Sequence, residues 1–185
     1  MQPGRREMLM VGAAGLAAAA AGFLVGPLLL QSGEARRAGE GSASESEALR
    51  TATLPDLSGR ARKLTEWRGR ILVCNFWATW CTPCREEIPL LLAARQKYAA
   101  AGLEIVGIGI DSVAKIREYS ASFNISYPVL IAEANGLELM RRLGNAAGGL
   151  PYTVIGNREG GIVYRKLGAF RGQDLDQILA PLVQA

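Results

Sequence analysis

The fold is decided by residues 71–84, which read Ile-Leu-Val-Cys-Asn-Phe-Trp-Ala-Thr-Trp-Cys-Thr-Pro-Cys. The first seven form a short apolar run with β-branched and aromatic side chains, which predicts a strand in the interior of a sheet. Residues 85–88, Arg-Glu-Glu-Ile, open a predicted helix. Cys81 and Cys84 can close a small disulfide ring, and the helix N-terminus stabilises the thiolate of the first cysteine. The stretch therefore predicts a strand, a dithiol turn and a helix in one continuous unit.

The absence of histidine limits the chemistry of this 185-residue chain. It excludes Ser-His-Asp and Cys-His nucleophile systems, metal centres that need histidine ligands, and imidazole bases. Catalysis must then use thiols and carboxylates, and we expect no metal and no cofactor beyond a redox-active disulfide. If Cys81 pairs with Cys84, Cys74 is left over, and we interpret it as a small buried apolar side chain within the strand.

Charge gives little information about partners. The formal net charge is +4, and the basic residues are scattered except for one cluster, at Arg60, Arg62, Lys63, Arg68 and Arg70. Trp67 is the only aromatic residue within this cluster, whereas nucleic-acid-binding surfaces interleave several aromatic residues with basic ones. We therefore interpret the cluster as a solvated edge and expect no nucleic-acid partner.

Residues 1–30 are predicted to be a signal anchor that crosses a membrane. Arg5 and Arg6 precede an uncharged apolar run over residues 8–30, which is longer than the roughly 20 residues a spanning helix needs. The start of this segment is similar to a twin-arginine export signal. No Ala-x-Ala site follows directly, so we expect retention rather than cleavage. With its basic end inside, the segment would place the rest of the chain on the periplasmic side of the inner (cytoplasmic) membrane.

The rest of the chain divides into a linker and one domain. Residues 31–48 are rich in Ser, Gly, Ala and Glu, which predicts a flexible linker. Residues 49–185 have the length of one domain. Their periodicity predicts alternating strands and helices, at 71–77, 84–101, 103–110, 113–123, 127–131 and 135–143. Strands at 152–155 and 162–167 form a predicted hairpin before a closing helix at 173–180. The fold class is therefore α/β, with a mixed central sheet that combines a parallel βαβαβ half with a C-terminal antiparallel hairpin and carries helices on both faces.

The segment over residues 75–89 resembles the active-site segment of membrane-anchored extracytoplasmic thioredoxins of the TlpA/ResA type. The resemblance extends over nearly all of residues 50–185, including Gly102-Leu103-Glu104-Ile105-Val106-Gly107 and Gly149-Leu150-Pro151-Tyr152-Thr153. It implies a thioredoxin-like fold and thiol:disulfide interchange activity.

The resemblance also assigns roles to residues of the site. Cys81 would be the exposed attacking thiol and Cys84 the resolving thiol. Pro151 would be a cis-proline beside the dithiol, with the backbone of Leu150 pairing with a substrate strand. The substrate-binding surface would also include Trp80, directly before Cys81, and Pro83, directly before Cys84.

The resemblance places an active-site glutamate at Glu87, where it would assist proton transfer to the thiols. Ordinary thioredoxins use a buried aspartate in the central strand instead, and the matching residue here is Asn75, which cannot take a proton. A glutamate in a first helical turn can also be favoured by the helix dipole alone. Glu86 is expected to be solvated.

The expected function is reduction of disulfides in extracytoplasmic client proteins, with apocytochrome c or copper-site subunits of respiratory oxidase as the suggested clients. A CcdA- or DsbD-like membrane protein would supply the electrons. Two alternatives stay open: a copper-binding assembly factor that uses Cys81 and Cys84 as Cu(I) ligands, and an oxidase that introduces disulfides. Reductants and oxidants share this scaffold and differ in reduction potential.

Overall fold

Residues 41–184 are described by the computed structural model. The strands are β1 (Thr53–Pro55), β2 (Ala61–Lys63), β3 (Ile71–Trp77), β4 (Leu103–Gly109), β5 (Val129–Ile131), β6 (Tyr152–Gly156) and β7 (Ile162–Leu167). The α-helices are α1 (Ala43–Thr51), α2 (Thr82–Tyr98), α3 (Val113–Ser122), α4 (Gly136–Arg142) and α5 (Asp174–Gln184). Short 3-10 turns cover Leu64–Trp67, Ala99–Ala101 and Glu133–Asn135.

The central sheet has five strands in the order β5-β4-β3-β6-β7. β3 pairs in parallel with β4, and β4 with β5, whereas β3 pairs antiparallel with β6 and β6 with β7. This confirms the predicted mixed sheet with its parallel half and its C-terminal hairpin. β3 lies in the middle, and all of its residues are buried. The strand that leads into Cys81 is therefore the most enclosed part of the fold.

Helices cover both faces of the sheet, as the α/β pattern predicted. On one face, α2, α3 and α5 pack on a core that includes Val73, Trp77, Ile88, Leu91, Ile105, Ile116, Ile155, Leu175 and Leu179. On the other face, α1, α4 and the turn at Leu64–Trp67 pack on a core that includes Leu49, Leu72, Cys74, Phe76, Val106, Ile108, Met140 and Leu143. Alternate residues of β3 therefore serve two separate cores.

The boundaries of several elements differ from the prediction. β5 begins at Val129 rather than at residue 127, since Pro128 has no N–H to donate to a ladder. α2 begins at Thr82 because Pro83 is suited to the first helical turn. Its last predicted turn is instead the 3-10 turn Ala99–Ala101, which ends at Gly102 with a φ of 88°.

The linker predicted for residues 31–48 is wrong over residues 43–48, which belong to helix α1. Ser42 and Glu45 form a reciprocal cap: the Glu45 amide donates to Ser42 Oγ at 3.2 Å, and the Ser42 amide donates to Glu45 Oε2 at 2.6 Å. Ala48 and Leu49 are both only 2% exposed. Capping and apolar burial together therefore outweigh the polar composition that suggested a flexible segment.

The signal anchor predicted for residues 1–30 and the first part of the predicted linker lie outside the described residues. Within residues 41–184, no helix is both long enough and apolar enough to cross a membrane.

Candidate active site

The redox pair lies where β3 ends and α2 begins. Cys81 is the N-cap residue of α2 and is bonded to Cys84, with an S–S distance of 2.00 Å and a Cα–Cα distance of 5.3 Å. The Cys84 amide points at Cys81 Sγ, 3.3 Å away. Once the bond is reduced, the same N–H and the helix dipole stabilise a thiolate at Cys81.

The two cysteines differ in access to solvent. Cys84 is 0% exposed and Cys81 is 5% exposed. We expected an exposed thiol at Cys81, and the structure shows instead a sulfur that is largely covered in the oxidised form because both cysteines belong to the apolar core beneath α2. Cys81 is still the more accessible of the two, so an incoming disulfide can reach it first.

The residues predicted to bind substrate lie around this turn. Trp80 is 66% exposed, and Pro83 is exposed in the first turn of α2. The Leu150–Pro151 peptide bond is cis, as the resemblance implied. Leu150 is partly buried and packs against the core that contains both cysteines. The carbonyl of Pro151 accepts a 2.8 Å hydrogen bond from the Gly168 amide, which ties this loop to the end of β7.

Glu87 lies one helical turn beyond Cys84 and is 0% exposed. Its Oε1 accepts a 2.7 Å hydrogen bond from Asn75 Nδ2, and its Oε2 accepts a 2.9 Å hydrogen bond from the Phe170 amide. Burial raises the pKa of this carboxyl above its ordinary value, while the bonds from Phe170 and Asn75 and the charge of Lys166 oppose the rise. Glu86, by contrast, is exposed, as expected.

Asn75 connects the glutamate to the neighbouring strand. Its Nδ2 also donates a 3.0 Å hydrogen bond to Thr153 Oγ1, and the two residues are in register between β3 and β6. Thr153, Lys166 and the Phe170 amide belong to the site but were not predicted from the sequence. The position of Thr153, two residues after Pro151, could have indicated that it lies near the site. The Phe170 amide is 83 positions away from Glu87, and no sequence pattern predicts its hydrogen bond to the carboxyl.

Cys74 is a free cysteine on the opposite face of β3 from the core that holds the redox pair. It is 0% exposed, and burial raises the pKa of its thiol to about 12. A protonated, enclosed thiol is a poor nucleophile, so the geometry agrees with the interpretation of Cys74 as an apolar core residue.

The arrangement can support thiol-disulfide exchange with a buried proton acceptor. Cys81 is the accessible sulfur, Cys84 is enclosed behind it, and the raised pKa of Glu87 brings that carboxyl nearer to the neutral range in which a base can both take and release a proton. Within residues 41–184, no group of three or more cysteine, aspartate or glutamate side chains is placed to hold a metal ion.

Comparison with known proteins gives the same chemistry. Residues 46–165 match the model of the AhpC/TSA family. Thiol-disulfide oxidoreductase ResA of Bacillus subtilis is 30% identical over 129 residues, which cover 68% of this chain and 69% of that protein. Its counterpart in Geobacillus thermodenitrificans is 28% identical over 127 residues, which cover 68% of this chain and 71% of the relative.

A solved structure shows that the fold is thioredoxin-like, as expected. A thioredoxin-family thiol:disulfide interchange protein from Chlorobium tepidum superposes with a TM-score of 0.63 at 26% identity, covering 72% of this chain and 94% of that one.

Proposed function

The chain belongs to the AhpC/TSA family and is a thiol-disulfide oxidoreductase of the TlpA/ResA type, and from that premise we propose that it reduces disulfides in client proteins outside the cytoplasm. The observation that carries this proposal is the Cys81–Cys84 pair at the N-terminus of α2, with the buried carboxyl of Glu87 one turn further along the helix.

The first step uses Cys81 as the nucleophile. In the reduced protein its thiolate attacks one sulfur of a client disulfide, a mixed disulfide forms, and the second client sulfur leaves as a thiolate. The position of Cys81 at the helix N-terminus supports this order because the backbone amides favour its charged form. The small exposed fraction of Cys84 keeps it from competing for the client.

The second step uses Cys84 and Glu87. The Cys84 thiol gives its proton to the Glu87 carboxylate and attacks Cys81 Sγ, and the client sulfur leaves as a thiolate. The enzyme disulfide is then restored, and two electrons have passed to the client. Glu87 supports this role because it is the buried carboxyl on the helix that bears both cysteines, and its raised pKa lets it hold the proton transiently.

Clients would dock on the surface around Cys81. Trp80 directly precedes Cys81 and is exposed, and Pro83 is exposed between the two cysteines. The cis Leu150–Pro151 bond directly precedes β6, and we propose that the backbone of Leu150 pairs there with an extended client segment. Such a segment would place its disulfide against Cys81.

We further propose that residues 1–30 anchor the chain in the cytoplasmic membrane with its domain on the periplasmic side. A CcdA- or DsbD-like membrane protein would then reduce the Cys81–Cys84 bond after each turnover. Apocytochrome c and the copper-site subunits of respiratory oxidase are the clients we propose, since both carry cysteine pairs that must be reduced before they bind haem or copper.

The test is reduction of a peptide disulfide by the full chain, with Cys81→Ser and Cys74→Ser as a matched pair of cysteine variants. We expect Cys81→Ser to abolish the activity and Cys74→Ser to retain it. Full activity in Cys81→Ser would overturn the proposal. Titration of the pair against glutathione buffers fixes the direction: a potential close to the −270 mV of thioredoxin supports a reductant, and one near the −120 mV of DsbA indicates an oxidase.

Copper binding by the reduced chain tests the remaining alternative. We expect no copper to survive a mild chelator, since the two thiolates have no histidine to complete a site. One retained Cu(I) per chain would favour the assembly-factor function instead.

A further inference from the structure

Several buried polar atoms have no hydrogen-bond partner, and one of them belongs to Asn75, which is bonded to Glu87. Besides Ser120 Oγ of helix α3, these atoms among the described residues are Asn75 Oδ1, Trp77 Nε1 and Tyr127 Oη. The three residues are 0%, 0% and 3% exposed, respectively. An unsatisfied polar atom inside a protein costs stability and is usually paired with an internal water molecule.

Gly107 brings these residues together. It is in register with Asn75 on the adjacent strand, and its amide donates a 2.9 Å hydrogen bond to the carbonyl of Pro128, which follows Tyr127. A Cβ at Gly107 would lie 2.9 Å from Tyr127 Cε2 and 3.0 Å from Trp77 Nε1. The phenol and the indole therefore occupy the space that a side chain at Gly107 would fill.

Tyr127 is also within electrostatic range of the carboxyl. Burial raises the pKa of the Tyr127 phenol well above its ordinary value, and the charge of Glu87 raises it further. Asn75 completes the connection because its Nδ2 is already bonded to Glu87 Oε1 at 2.7 Å while its Oδ1 is not bonded. The unpartnered atoms and the carboxyl thus form one buried group.

We propose that Asn75 Oδ1, Trp77 Nε1 and Tyr127 Oη bind internal water beside Glu87, and that this water and the Tyr127 hydroxyl exchange the proton of Glu87 with solvent. The chemistry of the three atoms fits water: the indole N–H donates, the amide oxygen accepts, and the phenol can do either. Buried waters make about three hydrogen bonds. This inference rests on the proton-accepting role proposed for Glu87.

The relay would return the buried Glu87 to its charged form after each turnover. After Cys84 has given up its proton, Glu87 is a neutral acid with 0% exposure and must lose that proton before the next turnover. Water takes the proton from Glu87 and passes another to the Tyr127 hydroxyl, which releases its own outward. One proton leaves the carboxyl, and no electron moves. Tyr127 Oη is itself covered, but the residue lines an open surface cleft together with Asp56 and Ser126, and we place the exit of the proton there.

Several other groups act on this carboxyl or on the phenol. Lys166 of β7 acts on Glu87, and Tyr119 of α3 acts on Tyr127. Cys84 lies one turn before Glu87 on α2. Tyr127→Phe leaves Lys166, Tyr119 and Cys84 in place and removes only the phenol hydroxyl. Its effect on Glu87 therefore tests the relay.

The experiment compares Tyr127→Phe with Tyr98→Phe in the full chain. Tyr98 is the last residue of α2, and its hydroxyl donates to Asp176 in the first turn of α5. The Glu87 carboxyl is titrated by carbon-13 NMR in the oxidised protein, and the rate of disulfide reduction is measured against pH.

Loss of the Tyr127 hydroxyl removes a donor that acts through water on the carboxylate. We expect Tyr127→Phe to raise the Glu87 pKa by about half a pH unit or more and to move the rate profile in the alkaline direction. We also expect a rate loss of about tenfold, less than the roughly 100-fold or more supplied by a general acid-base group itself. Tyr98→Phe should leave the pKa and the profile unchanged.

An unchanged Glu87 pKa and an unchanged profile in a folded Tyr127→Phe protein would overturn the relay. A crystal structure of the wild-type protein at atomic resolution provides a second test, since a dry site around Tyr127 Oη would also overturn it. Neither result would affect the proposed function, which is tested separately by disulfide reduction in the wild-type chain and its cysteine variants.

Discussion

Asn75 and Glu87 are joined by a 2.7 Å hydrogen bond between the central strand and the helix that bears both cysteines. Both residues are 0% exposed. The hydrogen bond therefore fixes the position of the Glu87 carboxyl inside the protein. In the proposed mechanism the Asn75 amide orients the Glu87 carboxyl, and the carboxyl carries the proton.

Glu87→Gln should impair catalysis strongly. The amide keeps a similar shape but cannot accept the proton of Cys84, so we expect the rate of client reduction to fall roughly 100-fold or more and its pH dependence to flatten. Steady-state reduction of a peptide disulfide between pH 5 and pH 9 provides the measurement. Glu86→Gln, one residue earlier on the exposed side of α2, is the matched control and should match the wild type. Equal losses in both variants would contradict the role of Glu87.

The same substitution should change stability in a pH-dependent way. Burial in the folded protein raises the Glu87 pKa above its ordinary value, so the stability linked to this group is greatest at low pH and is lost as the pH rises through the folded-state pKa. Glu87→Gln lacks this loss. Urea unfolding of the oxidised protein should show that the variant gains stability relative to the wild type between pH 4 and pH 8. A difference that does not vary with pH would contradict the raised pKa.

Asn75→Ala should weaken the site and the fold together. It removes the donor to Glu87 and to Thr153, which leaves buried acceptors with fewer partners and costs about 1–3 kcal/mol. We also expect the Glu87 pKa to rise further, since a bond that favours the charged form is lost. Urea unfolding and NMR titration of the carboxyl test the two effects. Gln96→Ala, an exposed amide on α2, should change neither value.

Leu49→Ala tests whether helix α1 belongs to the folded domain. Leu49 is 2% exposed and packs in the core beneath α1, so its truncation should cost about 2–5 kcal/mol. Ser44→Ala, on the exposed side of the same helix, should cost little. If Leu49→Ala unfolds at the same urea concentration as the wild type, α1 is not part of the folded domain and residues 43–48 behave as the flexible segment that composition suggested.

Cys74 should be unreactive in the native state. Its thiol is 0% exposed, with a pKa of about 12, and a thiol reagent needs the thiolate. We expect the oxidised protein to show no reactive thiol in buffer and a single reactive thiol in urea. Rapid labelling of Cys74 without denaturant would show that the core around β3 opens readily.

Much of this architecture can be predicted from sequence because its signals are local. The apolar run over residues 71–77 identified the central strand, and the spacing of Cys81 and Cys84 identified the dithiol turn. The start of α1 was also predictable, since Ser42 and Glu45 have the spacing of a capping box. Polar composition concealed it.

Other features depend on tertiary packing and leave no local signal. The Phe170 amide reaches Glu87 only because the loop after β7 folds over α2. Cys81 is buried because residues distant in sequence pack around the turn. The sequence does not show this packing, so it suggested a more exposed sulfur than the structure has. Tyr127 and Trp77 both approach Gly107 on β4, where no side chain fills the space, and no local pattern predicts that arrangement.

The order of attack by the two cysteines is tested most directly by trapping a mixed disulfide. Each single variant, Cys84→Ser and Cys81→Ser, is incubated with a peptide disulfide, and the adduct is located by mass spectrometry. The account predicts a stable adduct on Cys81 in Cys84→Ser and little or none on Cys84 in Cys81→Ser. Adducts that form equally well on Cys84, or that fail to form on Cys81, would contradict it.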